Sequence, residues 1–194
     1  MKIVLASTSR LKNQILDTVK IKHSQIESDF NEKEDKSDNV YEHVKALSLG
    51  KAKSVMNKVT NSIIIGLDTV GYVNGHIMEK PNSVKEAKKY IEESSNNITR
   101  VITGLALINQ INGEIINTYV ETLVSFREIS KKNIDFYIKN EPDYMYASGF
   151  ILETVLSNFL DKIEGSYYNI LGVPVETIYK YISQWGYELD DFEE

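Results

Sequence analysis

Three consecutive isoleucines, Ile63, Ile64 and Ile65, run without interruption into Gly66-Leu67-Asp68-Thr69-Val70. A continuous β-branched apolar run is the pattern of a strand buried on both faces. Strands of that kind belong to sheets covered by helices, so this one segment points to an α/β layer architecture. The run over residues 62–66 predicts the strand, with Leu67-Asp68-Thr69-Val70 closing it. An acid at the end of a buried strand is costly unless something uses it, and open α/β sheets place ligands at strand ends. Asp68 is therefore the first candidate functional residue, with a structural hydrogen-bond acceptor as the plain alternative.

The remaining pattern supplies the helices and the other strands. Residues 2–6 form a second short apolar run that ends in Ser7-Thr8-Ser9, and Leu11, Ile15, Leu16 and Val19 then share one helical face. A strand, a hydroxyl-rich turn and a helix N-terminus offer free N–H groups to an anion; Ser9 as an ordinary N-cap is the alternative. The charged stretch 27–38 reads as a loop, and 39–58 as a long helix with Val40, Val44, Leu47, Val55 and Met56 inward. Val73-Asn74-Gly75-His76 signals a tight hairpin, and Ser83-Val84-Lys85-Glu86 a capping box that opens a helix to about Ser94. Residues 98–108 and 115–126 read as two long strands joined around Asn112-Gly113, and 130–140 as a helix followed by a loop over 141–149. The final helix starts near Pro174 and ends at Trp185-Gly186. Helical crossovers together with hairpins predict an elongated mixed β-sheet flanked by helices.

Composition narrows the chemistry. Of the 194 residues, 22 are Lys or Arg and 28 are Asp or Glu, a formal net charge of −6. That balance argues against nucleic-acid polymers and anionic membranes as partners, where neutralisation by Lys and Arg dominates affinity. A small phosphorylated ligand needs only a few placed cations. With no cysteine, disulfides, thiolate metal sites and thiol nucleophiles are excluded. No apolar run approaches the ~20 residues of a membrane span, and the apolar start is too short for a signal-peptide core. The expectation is a cytoplasmic protein.

Several familiar constellations are missing. No G-x-G-x-x-G follows a strand, Gly50-Lys51-Ala52 lacks the rest of a P-loop, and there is no G-x-S-x-G. His23, His43 and His76 are isolated and show no ligand spacing. What remains is a set of charged side chains, Glu32, Lys51, Asp68 and Lys80. Taken singly, Glu32 and both lysines read as solvated surface.

Taken together, they resemble the Maf family of nucleoside triphosphate pyrophosphatases, named for septum-formation inhibition. Leu5-Ala6-Ser7-Thr8-Ser9 resembles its opening L-A-S-x-S, Phe30-Asn31-Glu32 its acidic element, and Lys51-Ala52 its helical K-A. Ile65-Gly66-Leu67-Asp68-Thr69-Val70 is similar to I-G-x-D-T-V, Lys80-Pro81 to K-P, and Val101-Ile102-Thr103-Gly104 to V-x-T-G. The segment Ile163-Glu164-Gly165-Ser166-Tyr167-Tyr168-Asn169-Ile170-Leu171-Gly172-Val173-Pro174 is close to I-E-G-S-Y-x-N-V-x-G-L-P. The pieces keep the family's order over nearly the whole chain.

The resemblance implies a single domain over 1–194, with two lobes around a central cleft and a fold like that of inosine-triphosphate pyrophosphatases. It implies hydrolysis between the α and β phosphates of a nucleoside triphosphate, a divalent cation (Mg²⁺ or Mn²⁺), and a homodimer. Asp68 would accept the proton of the attacking water. Glu32 and Asp68 would hold metal, Lys51 and Lys80 would neutralise the polyphosphate, and Ser7, Thr8, Ser9, Arg10 and Lys12 would bind substrate. The opening departs from the family's Pro-Arg-Arg, with Arg10, Leu11 and Lys12 in its place; a lysine keeps the charge there but loses the guanidinium fork. Leu11, Thr69 and Glu153, aligned through Ala147-Ser148-Gly149-Phe150, fall at positions that separate family members by base. Thr69 resembles members acting on dTTP and UTP, whereas Glu153 resembles those acting on 7-methyl-GTP. The expected substrate is dTTP or UTP. The alternatives are a modified nucleotide such as 7-methyl-GTP, or a non-catalytic nucleotide-binding regulator of division.

Overall fold

Helices pack against a seven-stranded mixed sheet in the computed structural model, which describes residues 1–32, 37–146 and 151–192. In chain order the elements are β1 (Lys2–Leu5), α1 (Arg10–Thr18), β2 (Ser24–Gln25), α2 (Val40–Val55), β3 (Ser62–Val73), β4 (His76–Met78), α3 (Val84–Ser94), β5 (Ile98–Asn109), β6 (Ile115–Phe126), α4 (Lys131–Asn140), β7 (Leu160–Glu164), α5 (Tyr167–Ile170) and α6 (Val175–Gln184). The sheet order is β2-β1-β3-β5-β6-β7, with β4 also paired to β3. β1 runs parallel to both β2 and β3, Ile3 opposite Ile63 and Leu5 opposite Ile65. β3 with β4, and β6 with β7, are antiparallel.

Most boundaries follow local chemistry. Ser9, Asn39, Ser83 and Ser130 each accept a backbone N–H of the helix that follows, as short oxygen-bearing side chains do at an N-cap. Glu86 departs from the expected box: its carboxylate takes the N–H of Asn82, one residue before the cap. Asn74 and Gly75 both have positive φ, and Val73 pairs with His76 across them, the geometry of a two-residue hairpin turn.

One expectation is corrected, and one stretch without an assignment is filled. The strand predicted to end at residue 66 continues to Val73, so Asp68 lies inside β3 and not at its end. The segment after residue 150, to which no element was assigned, contains β7 and the single-turn helix α5.

The described residues cluster into two units. Unit 1 comprises Met1–Thr69, Thr103–Val120 and Leu171–Glu194; unit 2 comprises Val70–Ile102 and Glu121–Ile170. Unit 1 buries Val4, Ala6, Ala52, Val55, Ile64, Ala106 and Ile108 between α2 and the strands. Unit 2 has its own core around Met78, Ile91, Val124, Ile134, Tyr137 and Leu156. No helix among the described residues is long and apolar enough to cross a membrane.

Candidate active site

A helix can lie directly on a strand only where the strand lacks side chains. β3 and β5 provide such places at Gly66 and Gly104. A Cβ on Gly66 would sit 2.1 Å from the carbonyl oxygen of Ser48, and one on Gly104 1.9 Å from that of Val44. With both absent, α2 rests against the sheet along Val44, Leu47, Ser48 and Ala52. Lys51, three residues after Ser48 and four after Leu47, falls on the same face.

That packing carries the Lys51 ammonium onto Asp68. Its Nζ lies 2.5 Å from Asp68 Oδ1 and 2.8 Å from Glu32 Oε1. The Lys51 and Asp68 side chains are 16% and 12% exposed, whereas Glu32 is 58% exposed. Burial pulls the ammonium toward neutrality, but the Asp68 charge and then Glu32 outweigh it and hold Lys51 above the usual lysine range. Three of the four charged candidates thus converge on one point in unit 1. Two carboxylates aimed at one cation also fit a divalent ion: Mg²⁺ keeps much of its water and needs one or two carboxylates beside substrate phosphates. Among the described residues there is no cluster of three or more His, Cys, Asp or Glu that could hold a metal by itself.

The turn after β1 is held from within. The Gln25 amide donates to the carbonyls of Ser7 and Ser9 at 3.1 and 3.3 Å. Ser7 Oγ accepts the N–H of Ser9, and Ser9 Oγ accepts that of Lys12. Ser9 is therefore an N-cap, yet each hydroxyl retains a proton to donate. Thr8, Arg10 and Leu11 are exposed at the start of α1. Lys12 Nζ donates to the Leu67 carbonyl at 2.9 Å.

Thr69 follows Asp68 and projects to the other face of β3. Its hydroxyl lies 3.0 Å from that of the fully buried Thr103. Gly172, at φ +80, covers it; a Cβ there would fall 2.9 Å from Thr69 Oγ1 and 3.4 Å from Lys12 Cε. Thr103 and Gly172 stood within recognisable motifs but carried no charge, so sequence reasoning assigned them no part. A glycine just before Val173-Pro174 was the available signal.

In unit 2, Lys80 is exposed just after β4. Glu153 is exposed too, and its charge, after burial, is the largest influence holding the Tyr167 hydroxyl above its ordinary pKa. The stretch through which Glu153 was aligned, 147–150, and residues 33–36 of the acidic run lie outside the described residues. The buried Asn169 of the E-G-S-Y segment donates to the Val101 carbonyl and to Thr122 Oγ1, each at 3.0 Å, which fixes that segment on β5 and β6.

A model of the Maf-like protein family matches residues 2–185. The chain belongs to the Maf-like family. Its relatives include proteins named dTTP/UTP pyrophosphatase from Clostridium kluyveri, 33% identical over 97% of this chain and 100% of the relative, and from Clostridium perfringens, 32% identical over 95% and 97%. A relative of the same name, from Pyrococcus abyssi, is 31% identical over 93% of this chain and 94% of the relative. The Maf-like motifs divide by unit: the serine turn, the K-A lysine and the I-G-x-D-T aspartate build unit 1, and K-P and E-G-S-Y build unit 2.

Proposed function

We propose that this Maf-like protein hydrolyses nucleoside triphosphates at the α–β phosphoanhydride, with dTTP and UTP as its substrates, and that the chain acts as one catalytic domain. The observation that carries the reading is the Lys51 ammonium held between Asp68 and Glu32. Phosphoryl transfer needs positioning and charge stabilisation more than covalent help. A buried cation beside two acids supplies both, and the relatives' printed names give the reaction and the bases.

Water attacks the α-phosphorus, the bridging P–O bond to the β-phosphate breaks, and pyrophosphate leaves. Asp68 takes the proton at a carboxylate oxygen, and Lys51 donates to its Oδ1. Charge growing on the phosphate oxygens meets Lys51, which acts in a partly dry site where it is worth more than in water. The Ser7–Ser9 turn offers hydroxyl protons and the N-terminus of α1 to the phosphates, with Arg10 beside it and Lys80 as a further cation. Glu32 and Asp68 would hold Mg²⁺ or Mn²⁺, which when bound neutralises phosphate charge and acidifies water.

The test is a pyrophosphate-release screen over nucleoside triphosphates with Mg²⁺ or Mn²⁺. Release of pyrophosphate with the monophosphate as co-product is expected. Release of orthophosphate, or no release from any triphosphate, overturns the proposal.

A further inference from the structure

The parallel ladder between β1 and β3 ends where the chain turns away at Ser7. Its last bond joins the Ala6 N–H to the Ile65 carbonyl at 2.8 Å. The next β3 carbonyl facing that edge belongs to Leu67, two residues on, because carbonyls alternate sides along a strand. Leu67 is fully buried, and a buried backbone carbonyl requires a donor. Lys12 Nζ provides one at 2.9 Å, reaching across from α1.

The Lys12 stem is itself confined. A side chain on Gly172 would collide with Thr69 Oγ1 and press on Lys12 Cε, so the bare, positive-φ backbone of Gly172 closes over both. Thr69 is tied to Thr103 on β5. The peptide on either side of Asp68 is thus held by groups that do not touch its carboxylate: Lys12 before it, Thr69–Thr103 after it, and Gly172 above.

We propose that Lys12 is a positioning residue, which extends the β1–β3 ladder by one bond and, with Gly172, fixes where the Asp68 carboxylate stands. This rests on the proposed hydrolysis, for which Asp68 must meet water at a set place. Lys12 acts through the Leu67 carbonyl, whereas a phosphate-binding lysine would act on the substrate directly.

The two roles separate in kinetics. Lys12→Met keeps the stem beneath Gly172 and removes the donor. A positioning role lowers kcat about tenfold or more, while the KM for UTP and the inhibition constant for inorganic pyrophosphate stay within about twofold. Gly172→Ala, which leaves the ammonium in place, gives the same pattern; it also serves if Lys12→Met does not fold. A rise of about tenfold in KM and in the pyrophosphate constant for Lys12→Met, with kcat kept, assigns Lys12 to the phosphates and overturns the proposal. Unchanged kcat in both variants overturns it as well. The wild type is assayed alongside: a wild type inactive on every triphosphate defeats the hydrolase reading, whereas an active wild type with either contrary pattern defeats only this inference.

Discussion

The Nζ of Lys51 stands 2.5 Å from Oδ1 of Asp68, on a helix and a strand that meet without intervening side chains. Each member is mostly buried, so removing one leaves the other's charge poorly compensated. Asp68→Asn keeps the shape and removes the proton acceptor. Turnover is expected to vanish, with circular dichroism unchanged and some loss of stability, because Lys51 then retains only Glu32. A residual rate within about threefold of wild type, a barrier change of only ~0.7 kcal/mol, would sink the catalytic assignment.

The lysines should rank by surroundings. Lys51 is 16% exposed and bonded to two acids, whereas Lys88 is more than twice as exposed, at 37%, and pairs with Asp135 at the surface. Exposed ion pairs contribute about 0–1 kcal/mol. Lys51→Ala is expected to cost at least ~100-fold in kcat/KM, Lys80→Ala about tenfold or more, and Lys88→Ala under about twofold. Equal small losses in all three would remove both lysines from the site.

Gly104→Ala probes the approach of α2 without touching a charged group. The new methyl would need the space now held by the Val44 carbonyl, 1.9 Å away, so the helix must move and carry Lys51 with it. Overpacking of this kind costs about 1–3 kcal/mol. The urea midpoint should fall, and turnover should fall further than the lost stability explains at temperatures where the variant is folded. A variant with wild-type midpoint and rate would show that α2 does not depend on this contact.

These glycines mark the boundary of what the sequence discloses. Asp68 was legible because a charge inside an apolar run is conspicuous, and the hairpin at Asn74-Gly75 because that dipeptide suits positive φ. The continuation of β3 beyond residue 66 was not: local pattern treats Asp68 as a terminator, while in the fold Lys51 offsets the charge from the helix packed on that face of the strand. Lys51 itself looked like one more helical lysine, since what distinguishes it is the helix–strand approach permitted by Gly66 and Gly104. Thr103, Gly172 and the Leu67 carbonyl act through uncharged or backbone atoms, which leave no mark in a pattern of charges and apolar residues.

High pH should weaken unit 2 through its tyrosines. Burial, and then the hydrogen bond to Glu86, push Tyr90 up to about 12; burial raises Tyr137 as well. A pKa raised by folding means that the unfolded chain loses its proton first. The contribution is complete below the ordinary tyrosine value and is lost as pH climbs through the folded one. Urea midpoints should therefore fall between about pH 10 and 12, and Tyr90→Phe should fall less steeply. Parallel curves for the two proteins would show that Tyr90 does not contribute.

The base is the last point, and here two residues pull in opposite directions. Glu153 is exposed, and a carboxylate can only accept hydrogen bonds. It suits the N–H donors of a guanine edge and opposes the carbonyl oxygens of uracil or thymine. Leu11, 47% exposed on α1, offers no cation to those oxygens. Thr69 favours the pyrimidine reading: it adjoins Asp68 in the best-matched motif, and its hydroxyl pairs with that of Thr103 beside the bare backbone of Gly172. The relatives named dTTP/UTP pyrophosphatase favour it too. UTP and dTTP should therefore exceed 7-methyl-GTP in kcat/KM. Glu153→Gln, which adds donors while keeping the shape, should raise the pyrimidine rates further. If 7-methyl-GTP wins by about tenfold or more and Glu153→Gln narrows the gap, Glu153 and not Thr69 reads the base.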